Sequence, residues 1–120
     1  MSLSISERRV GDVTIIGLAG RLVLDDGDAA LREWIGALVD KGRVQIVLNL
    51  HDVTFIDSCG IGVLVDLFHT MRRHGGHLKI VCPSQQCRRV LAITRLLPVF
   101  DPYESEDEAL RSFAAEPLHT

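Results

Sequence analysis

Apolar and polar positions along the first fifty residues predict a β-hairpin, a helix and a buried strand. The segments "LSIS" (3–6) and "VTIIGL" (13–18) flank Gly11-Asp12, and a Gly-Asp pair between such runs is typical of a tight hairpin turn. Asp28 is predicted to cap the helix "AALREWIGALVDK" (29–41), and Gly42 to end it. One face of this helix carries its large apolar residues, namely Leu31, Trp34, Ile35 and Leu38. The β-branched run "VQIVLNL" (44–50) predicts a strand covered on both faces.

The second half predicts further helices and strands in alternation. A helix is expected from about residue 59 to 74, ended by Gly75-Gly76, with a core stripe of Ile61, Leu64, Phe68 and Met71. "LKIVC" (78–82) is the next predicted strand, and Pro83-Ser84 opens a short helix. In that short helix, two residues are expected to face inward: Val90 and Leu91. A brief strand is predicted near Val99-Phe100, and the capping box Ser105–Glu108 precedes a final helix.

This order predicts a single α/β domain over residues 1–120. A hairpin followed by alternating helices and strands implies a largely parallel mixed sheet of about four to five strands with about four helices. Functional loops are expected at the carboxyl ends of the parallel strands, where the segment 57–60 falls.

Composition excludes several classes of function. The net charge is −3, with no basic stripe and few aromatic residues, so direct nucleic-acid binding is not expected. No signal peptide is expected and no apolar run is long enough to span a bilayer, so neither membrane insertion nor export is predicted. The three cysteines (Cys59, Cys82 and Cys87) fit reduced thiols in a cytoplasmic protein better than a disulfide framework.

The stretch "FIDSCGIGVLV" (55–65) places an acid, a hydroxyl and a thiol where a strand meets a helix. Asp57 or Ser58 as a helix cap would contribute about 1 kcal/mol. A cap does not explain Gly60 and Gly62, since each glycine in a helix costs roughly 0.5–1 kcal/mol relative to alanine. Small residues at these positions predict a helix start that stays open to an approaching molecule.

Two further interpretations of this segment concern Cys59. A helix N-terminus can activate a thiol, but a nucleophile also needs a base and an orienting partner. His51 is the histidine nearest in sequence, and no nucleophile signature surrounds it. A small packed cysteine is therefore the favoured interpretation, and an enzyme that depends on Cys59 the disfavoured one.

Other groups of residues carry weaker signals. Four potential metal ligands match no standard zinc spacing, so no metal is predicted; they are His74, His77, Cys82 and Cys87. Gly60-Ile61-Gly62 lacks the lysine and the glycine spacing of a phosphate-binding loop, and no cofactor is predicted. The acidic loop Asp25–Asp28 is expected to be a solvated loop with a cap, with a partner-binding or nucleotide-binding surface as the minor alternative.

These segments together resemble the STAS domains, in particular the bacterial anti-sigma-factor antagonists. The resemblance runs through "VQIVLNL", "VTFIDSCGIG", "GGHLKIV" and the acidic C-terminal helix, which is nearly the whole chain. The family signature Asp-Ser-(Ser/Thr)-Gly-Leu-Gly corresponds to residues 57–62 of this sequence, which are Asp57, Ser58, Cys59, Gly60, Ile61 and Gly62.

The resemblance implies a phosphorylation-switched binding module and not an enzyme. Ser58 would be phosphorylated by a partner serine/threonine kinase that uses ATP and is itself the anti-sigma factor. The unphosphorylated chain would bind that kinase and so release its sigma factor, and a metal-dependent serine phosphatase would reset the switch. Residues 57–62, with Asp25 and Asp26, would form the partner-binding surface, and Val63 and Leu67 would extend it or pack under a neighbouring helix.

The sequence departs from the family pattern at two positions, Cys59 and Val23. Cys59 replaces the second hydroxyl of the signature, which leaves Ser58 as the only hydroxyl there. Val23 occupies the place where many antagonists carry Asp in Gly-Glu-Leu-Asp, so the role of Asp25 or Asp26 in a second contact loop stays open. A STAS subunit that never switches, in a signalling scaffold or a lipid ABC transporter, is the alternative function.

Overall fold

The chain is built around a four-stranded mixed sheet. The computed structural model describes residues 3–23, 27–82, 85–93, 95, 100 and 102–115. The strands are β1 (Ser4–Val10), β2 (Val13–Leu22), β3 (Gln45–Ile56) and β4 (His77–Val81). The helices are α1 (Asp28–Asp40), α2 (Ser58–Arg73), α3 (Gln85–Ile93) and α4 (Glu106–Ala115). The strands lie in the order β1-β2-β3-β4, with β1 antiparallel to β2 and the other pairs parallel, which confirms the predicted α/β class.

Helices lie on both faces of the sheet. The main core joins one sheet face to α1, α2 and α3, and it includes Ile16, Leu48, Leu31, Leu64 and Leu91. A smaller core joins the other face to α4, and its buried members are Val13, Ile15, Val47, Val81 and Ala109. Alternate side chains of a strand point to opposite faces, which explains why neighbouring residues of β2 belong to different cores.

Strand β3 is longer than its apolar pattern predicts. The run "VQIVLNL" ends at Leu50, but β3 continues to Ile56 alongside β2. Its register with β2 shifts twice, between Gly17 and Ala19 and between Gly20 and Arg21. Such bulges turn side chains to a different face and are frequent beside functional sites. After these two bulges, β3 continues to Ile56, which pairs with Leu22 at the carboxyl end of β2 and directly precedes the N-cap residue of α2.

Several local predictions need correction. Asp28 is the first residue of α1 and not its cap: Gly27 is the N-cap, at φ 111°, which favours glycine. Trp34 is not a core residue, because it is 37% exposed and its indole Nε1 donates to Glu7 Oε1 at 2.9 Å. Phe100 has helical backbone and is buried, so the predicted strand is wrong for that residue; the bridge to β4 is made by Tyr103, opposite Val81.

Other predictions are confirmed or lie outside the described residues. The hairpin turn is at Gly11-Asp12, Ser105 Oγ accepts from the Glu108 backbone N–H at 3.1 Å, and Leu91 is buried. Pro83-Ser84, Val99 and the side chains of Cys87 and Val90 are not described. Cys82 is disulfide-bonded, so the expectation of a reduced thiol is wrong for that residue. None of the helices described here is both long and apolar enough to cross a membrane.

Candidate functional site

Asp57 begins the site by capping α2. Its backbone is extended, at φ −98° and ψ −175°, and its Oδ1 accepts a hydrogen bond from the Gly60 backbone N–H at 2.9 Å. The carbonyl oxygen of Asp57 accepts from the Ile61 N–H at 3.0 Å, which is the first bond of the helix. The side chain therefore satisfies one of the N–H groups that a helix start leaves without a partner. This confirms the predicted cap and identifies Asp57 as the residue that makes it.

Ser58 is the first residue of α2 and is exposed to solvent. Within the described part of the chain, no hydrogen bond holds its hydroxyl. The first turn of α2 contains no acidic residue, and its last turn contains Arg72 and Arg73. The positive end of the helix dipole thus faces the Ser58 hydroxyl, and the carboxylate before it is the capping Asp57.

Gly60 is a point of close backbone contact between α2 and β2. A Cβ on Gly60 would collide with the carbonyl oxygen of Leu22 and would lie 2.9 Å from Cγ2 of Ile56. The same Leu22 oxygen accepts a hydrogen bond from the Asp57 N–H at 3.3 Å. This gives Gly60 an internal packing role and not the open surface expected from the sequence. Gly62 differs, since a Cβ there would meet no atom within 4 Å.

The apolar residues of α2 divide into core and rim. Val63 and Leu67 are 1% and 5% exposed and belong to the main core, so the idea that they extend a contact face is wrong. Ile61 and Phe68, expected on the core stripe, are only partly buried and pack against that core. Ile61 therefore keeps part of its side chain accessible beside Ser58.

Cys59 is a free thiol of intermediate burial. His51 Nδ1 lies 2.8 Å from Asp52 Oδ1 on the exposed part of β3, and among the described residues no hydrogen bond reaches Cys59. His51 therefore does not support the interpretation of Cys59 as a nucleophile, which requires a base beside the thiol.

The remaining predicted site residues follow β2 in the sequence. Asp25 and Asp26 are outside the described residues. Val23, which stands where many antagonists have Asp, is buried and forms a bridge with Gly27. Over the described residues, no group of three or more His, Cys, Asp or Glu side chains is arranged to hold a metal ion.

Arg21 and Phe55 lie next to this site, although neither stands out in the sequence pattern. They are opposite each other in the β2–β3 pair, and the Arg21 guanidinium carbon is 5.5 Å from the centre of the Phe55 ring. Phe55 is 50% exposed. The sequence pattern of residues 51–56 does not predict that Phe55 is exposed beside Arg21, because the two bulges determine which side chains face outward.

Comparison with known proteins places this geometry in a family. The sequence matches the STAS domain family over residues 5–109. A Thermotoga maritima protein named "Putative anti-sigma factor antagonist" is 30% identical over 102 residues, which are 84% of this chain and 89% of that protein. The chain therefore belongs to the STAS domain family, and curated relatives that it matches over most of its length are named anti-sigma factor antagonists.

Solved structures agree with this assignment. The crystal structure of a putative anti-sigma factor antagonist from Thermotoga maritima superposes on this chain with a TM-score of 0.83 at 28% identity. The superposition covers 90% of this chain and 92% of that one. The Bacillus cell fate determinant SpoIIAA in its phosphorylated form shares the fold, with a TM-score of 0.72 at 21% identity over 92% of this chain and 99% of that one.

Proposed function

We propose that this chain is a cytoplasmic anti-sigma factor antagonist that is switched by phosphorylation and is not an enzyme. Its unphosphorylated form binds an anti-sigma factor that is also an ATP-dependent serine/threonine kinase, and the bound kinase releases its sigma factor. Phosphorylation of Ser58 ends this complex, and a serine phosphatase restores it. Residues 57–59, 61 and 62 form the contact surface, with Asp25 and Asp26 as further candidates, while the buried Gly60 positions the start of α2.

The observation that carries the proposal is the exposed Ser58 hydroxyl at the first position of α2, directly after the capping Asp57. A kinase can reach this hydroxyl without unfolding the helix. The signature of residues 57–62 and the names of the relatives support the same conclusion. The phosphorylated form of SpoIIAA supports a phosphate-bearing state for a protein of this fold.

The physical effect of a phosphate differs between the free chain and the complex. A phosphoserine carries roughly −1.5 to −2 charges at neutral pH. At the start of a helix the dipole favours an anion by about 0.3–1 kcal/mol, so the free protein tolerates the group. In an interface the same group must lose its water, which costs several kcal/mol if it is not paired. Since about 1.4 kcal/mol is a factor of ten in affinity, one phosphate is enough to dissociate the complex.

A pull-down from a lysate of the native bacterium, with and without ATP, tests the proposal. We expect a histidine-kinase-like ATPase to be retained without ATP and lost with it, and peptide mass spectrometry to find phosphate on Ser58. Ser58→Ala should retain the ATPase in both conditions. Ser4→Ala, which removes an exposed serine of β1, is the matched control and should behave as the wild type.

Two results would contradict the switch. Phosphate on another residue, with Ser58 unmodified, would remove Ser58 from the mechanism. An unmodified chain that retains a scaffold or transporter subunit in both conditions would instead identify a STAS subunit that does not switch.

A further inference from the structure

The described residues cover only part of the sheet face that carries α4. Residues of β2 that alternate with those of the main core point to this face, and the helix covers the first of them, Val13 and Ile15. Beyond them Gly17 and Ala19 line an open cleft of about 260 Å³. The next residue on this side is Arg21, which is exposed and extends over the Phe55 ring. The two side chains are thus both exposed on this part of the sheet.

This pair lies at the carboxyl ends of β2 and β3, close to where α2 begins with Ser58. Arg21 and Phe55 are register partners, and the next pair along the strands is Leu22 with Ile56. Leu22 accepts the Asp57 N–H, and α2 begins with Ser58. The surface buried in a specific complex is typically about 800 Å² on each partner, which extends well beyond a single helix start.

The chemistry of the pair suits recognition of a protein. Half of the Phe55 ring is exposed to water, which is unfavourable for an apolar surface, so the ring is stabilised by contact with a partner. Aromatic and arginine side chains are also prominent among the residues that contribute most binding energy in interfaces. A guanidinium that stacks on a ring leaves its N–H edge available for a carboxylate, which it binds through two parallel hydrogen bonds. Within the described residues, no ion pair engages Arg21.

We propose that Phe55 and Arg21 form the specificity contact for the anti-sigma factor that binds at Ser58. The Phe55 ring packs against an apolar side chain of that partner, and the Arg21 guanidinium pairs with a carboxylate beside it. This inference rests on the proposed function, because it assigns a second contact to the same partner.

The test measures binding of the purified ATPase identified in the pull-down, without ATP, by calorimetry. We expect Phe55→Ala and Arg21→Glu each to weaken binding by about tenfold or more. Arg21→Lys should also lose affinity, since an ammonium does not reproduce the planar fork. Raising the salt concentration should weaken wild-type binding more than that of Arg21→Gln.

Two matched controls lie elsewhere on the molecule. Arg72 makes the same kind of contact, with its guanidinium carbon 5.6 Å from the Phe68 ring centre, at the opposite end of α2. Val10 is an apolar side chain that is 43% exposed at the hairpin. Arg72→Glu and Val10→Ala should bind within twofold of the wild type. If Phe55→Ala loses its thermal unfolding transition, Phe55→Leu and the Arg21 variants provide the test.

The outcomes separate this inference from the proposed function. If Ser58→Glu loses binding while Phe55→Ala and Arg21→Glu bind as the wild type does, the pair lies outside the interface and the inference is wrong. If the wild type does not bind the ATPase, or Ser58→Glu binds equally well, the switch itself is wrong. If Arg72→Glu weakens binding as much as Arg21→Glu, the effect is one of net charge and the inference also fails.

Discussion

Gly60 of α2 lies directly against the carbonyl oxygen of Leu22 in β2, and a Cβ at Gly60 has no room there. Because the atom in the way is backbone oxygen, no side-chain rotation can open the space. The contact fixes where α2 starts relative to the end of β2. It therefore sets the position of Ser58, two residues earlier.

Alanine at the two glycines of α2 should have opposite effects on stability. Overpacking a closed site typically costs about 1–3 kcal/mol, and the better helix propensity of alanine offsets up to about 1 kcal/mol of this. We expect Gly60→Ala to lower the free energy of unfolding by about 1–2 kcal/mol. Gly62→Ala, which meets no atom within 4 Å, should raise it by about 0.5–1 kcal/mol. Urea unfolding followed by circular dichroism measures both, and equal effects would contradict this account.

The cap of α2 predicts a difference between two substitutions of Asp57. Asp57→Ala removes the acceptor of the Gly60 N–H and should lower the free energy of unfolding by about 1 kcal/mol. Asp57→Asn should change it by less than about 0.5 kcal/mol, because asparagine caps helices as well as aspartate does. Chemical denaturation of the three proteins provides the measurement. An Asp57→Asn variant as unstable as Asp57→Ala would show that the charge, and not the hydrogen bond, is what matters.

Glu106 predicts a pH dependence of stability. The hydrogen bond from Asn49 Nδ2 lowers the pKa of this carboxyl in the folded chain, with a smaller contribution from Arg8, while partial burial opposes them. A pKa that is lower in the folded state means that the ionised form stabilises the fold. That stability is present above the ordinary glutamate pKa and is lost as the pH falls through the lowered one.

The check on Glu106 is the urea midpoint between roughly pH 6 and pH 3. We expect the wild type to lose more stability over this range than Glu106→Gln, which has no charge to lose. Glu104→Gln, at an exposed carboxylate of the preceding turn, is the control and should follow the wild type. Parallel curves for the wild type and Glu106→Gln would show that Glu106 does not contribute.

Lys79 should hold α4 on the sheet. It is only 9% exposed, its Nζ donates to Ser112 Oγ at 2.8 Å, and that Nζ lies 4.4 Å from the Phe113 ring centre. A hydrogen bond contributes about 1 kcal/mol and a desolvated cation–π contact up to about 2 kcal/mol. Lys79→Ala should therefore lower the free energy of unfolding by roughly 1–3 kcal/mol.

Hydrogen exchange of the α4 amides tests whether the loss at Lys79 is local. We expect faster exchange in α4 with the sheet amides still protected, because Ser112 and Phe113, which Lys79 contacts, belong to that helix. Lys41→Ala, at an exposed lysine after α1, should leave exchange unchanged. An Lys79→Ala variant as stable as the wild type would show that packing alone docks α4.

The elements that were predicted correctly are those whose signal is local. The hairpin turn at Gly11-Asp12 and the extent of α2 follow from turn chemistry and from helical periodicity, which act within a few residues. The cap of Asp57 is a contact between residues three apart, so its sequence signal was sufficient. The candidate site was placed at the start of α2 for the same reason, since the end of a strand and the start of a helix are adjacent in the chain.

The errors have a common physical origin in contacts between distant segments. Trp34 was predicted to be in the core because of its position on the helix face, but its indole N–H donates a hydrogen bond to Glu7 of β1. The requirement for glycine at position 60 of α2 comes from the backbone of Leu22, which belongs to β2. The exposure of Phe55 depends on bulges in a register that periodicity does not reveal. Each of these requires the pairing of β2 with its neighbours, which a single sequence does not specify.

A charge at Ser58 should separate stability from binding. Glutamate at the first position of α2 meets the positive end of the helix dipole, which favours it by about 0.3–1 kcal/mol, while the neighbouring Asp57 carboxylate offsets part of this gain. We therefore expect Ser58→Glu to unfold within about 0.5 kcal/mol of the wild type. Ser58→Lys should be less stable than Ser58→Glu by up to about 1 kcal/mol, and salt should reduce the difference. Calorimetric melting of the variants at two salt concentrations measures this. If Ser58→Glu were destabilised by more than about 1 kcal/mol, a negative group at this position would act by disturbing the fold, and its effect on binding would no longer report on the interface alone.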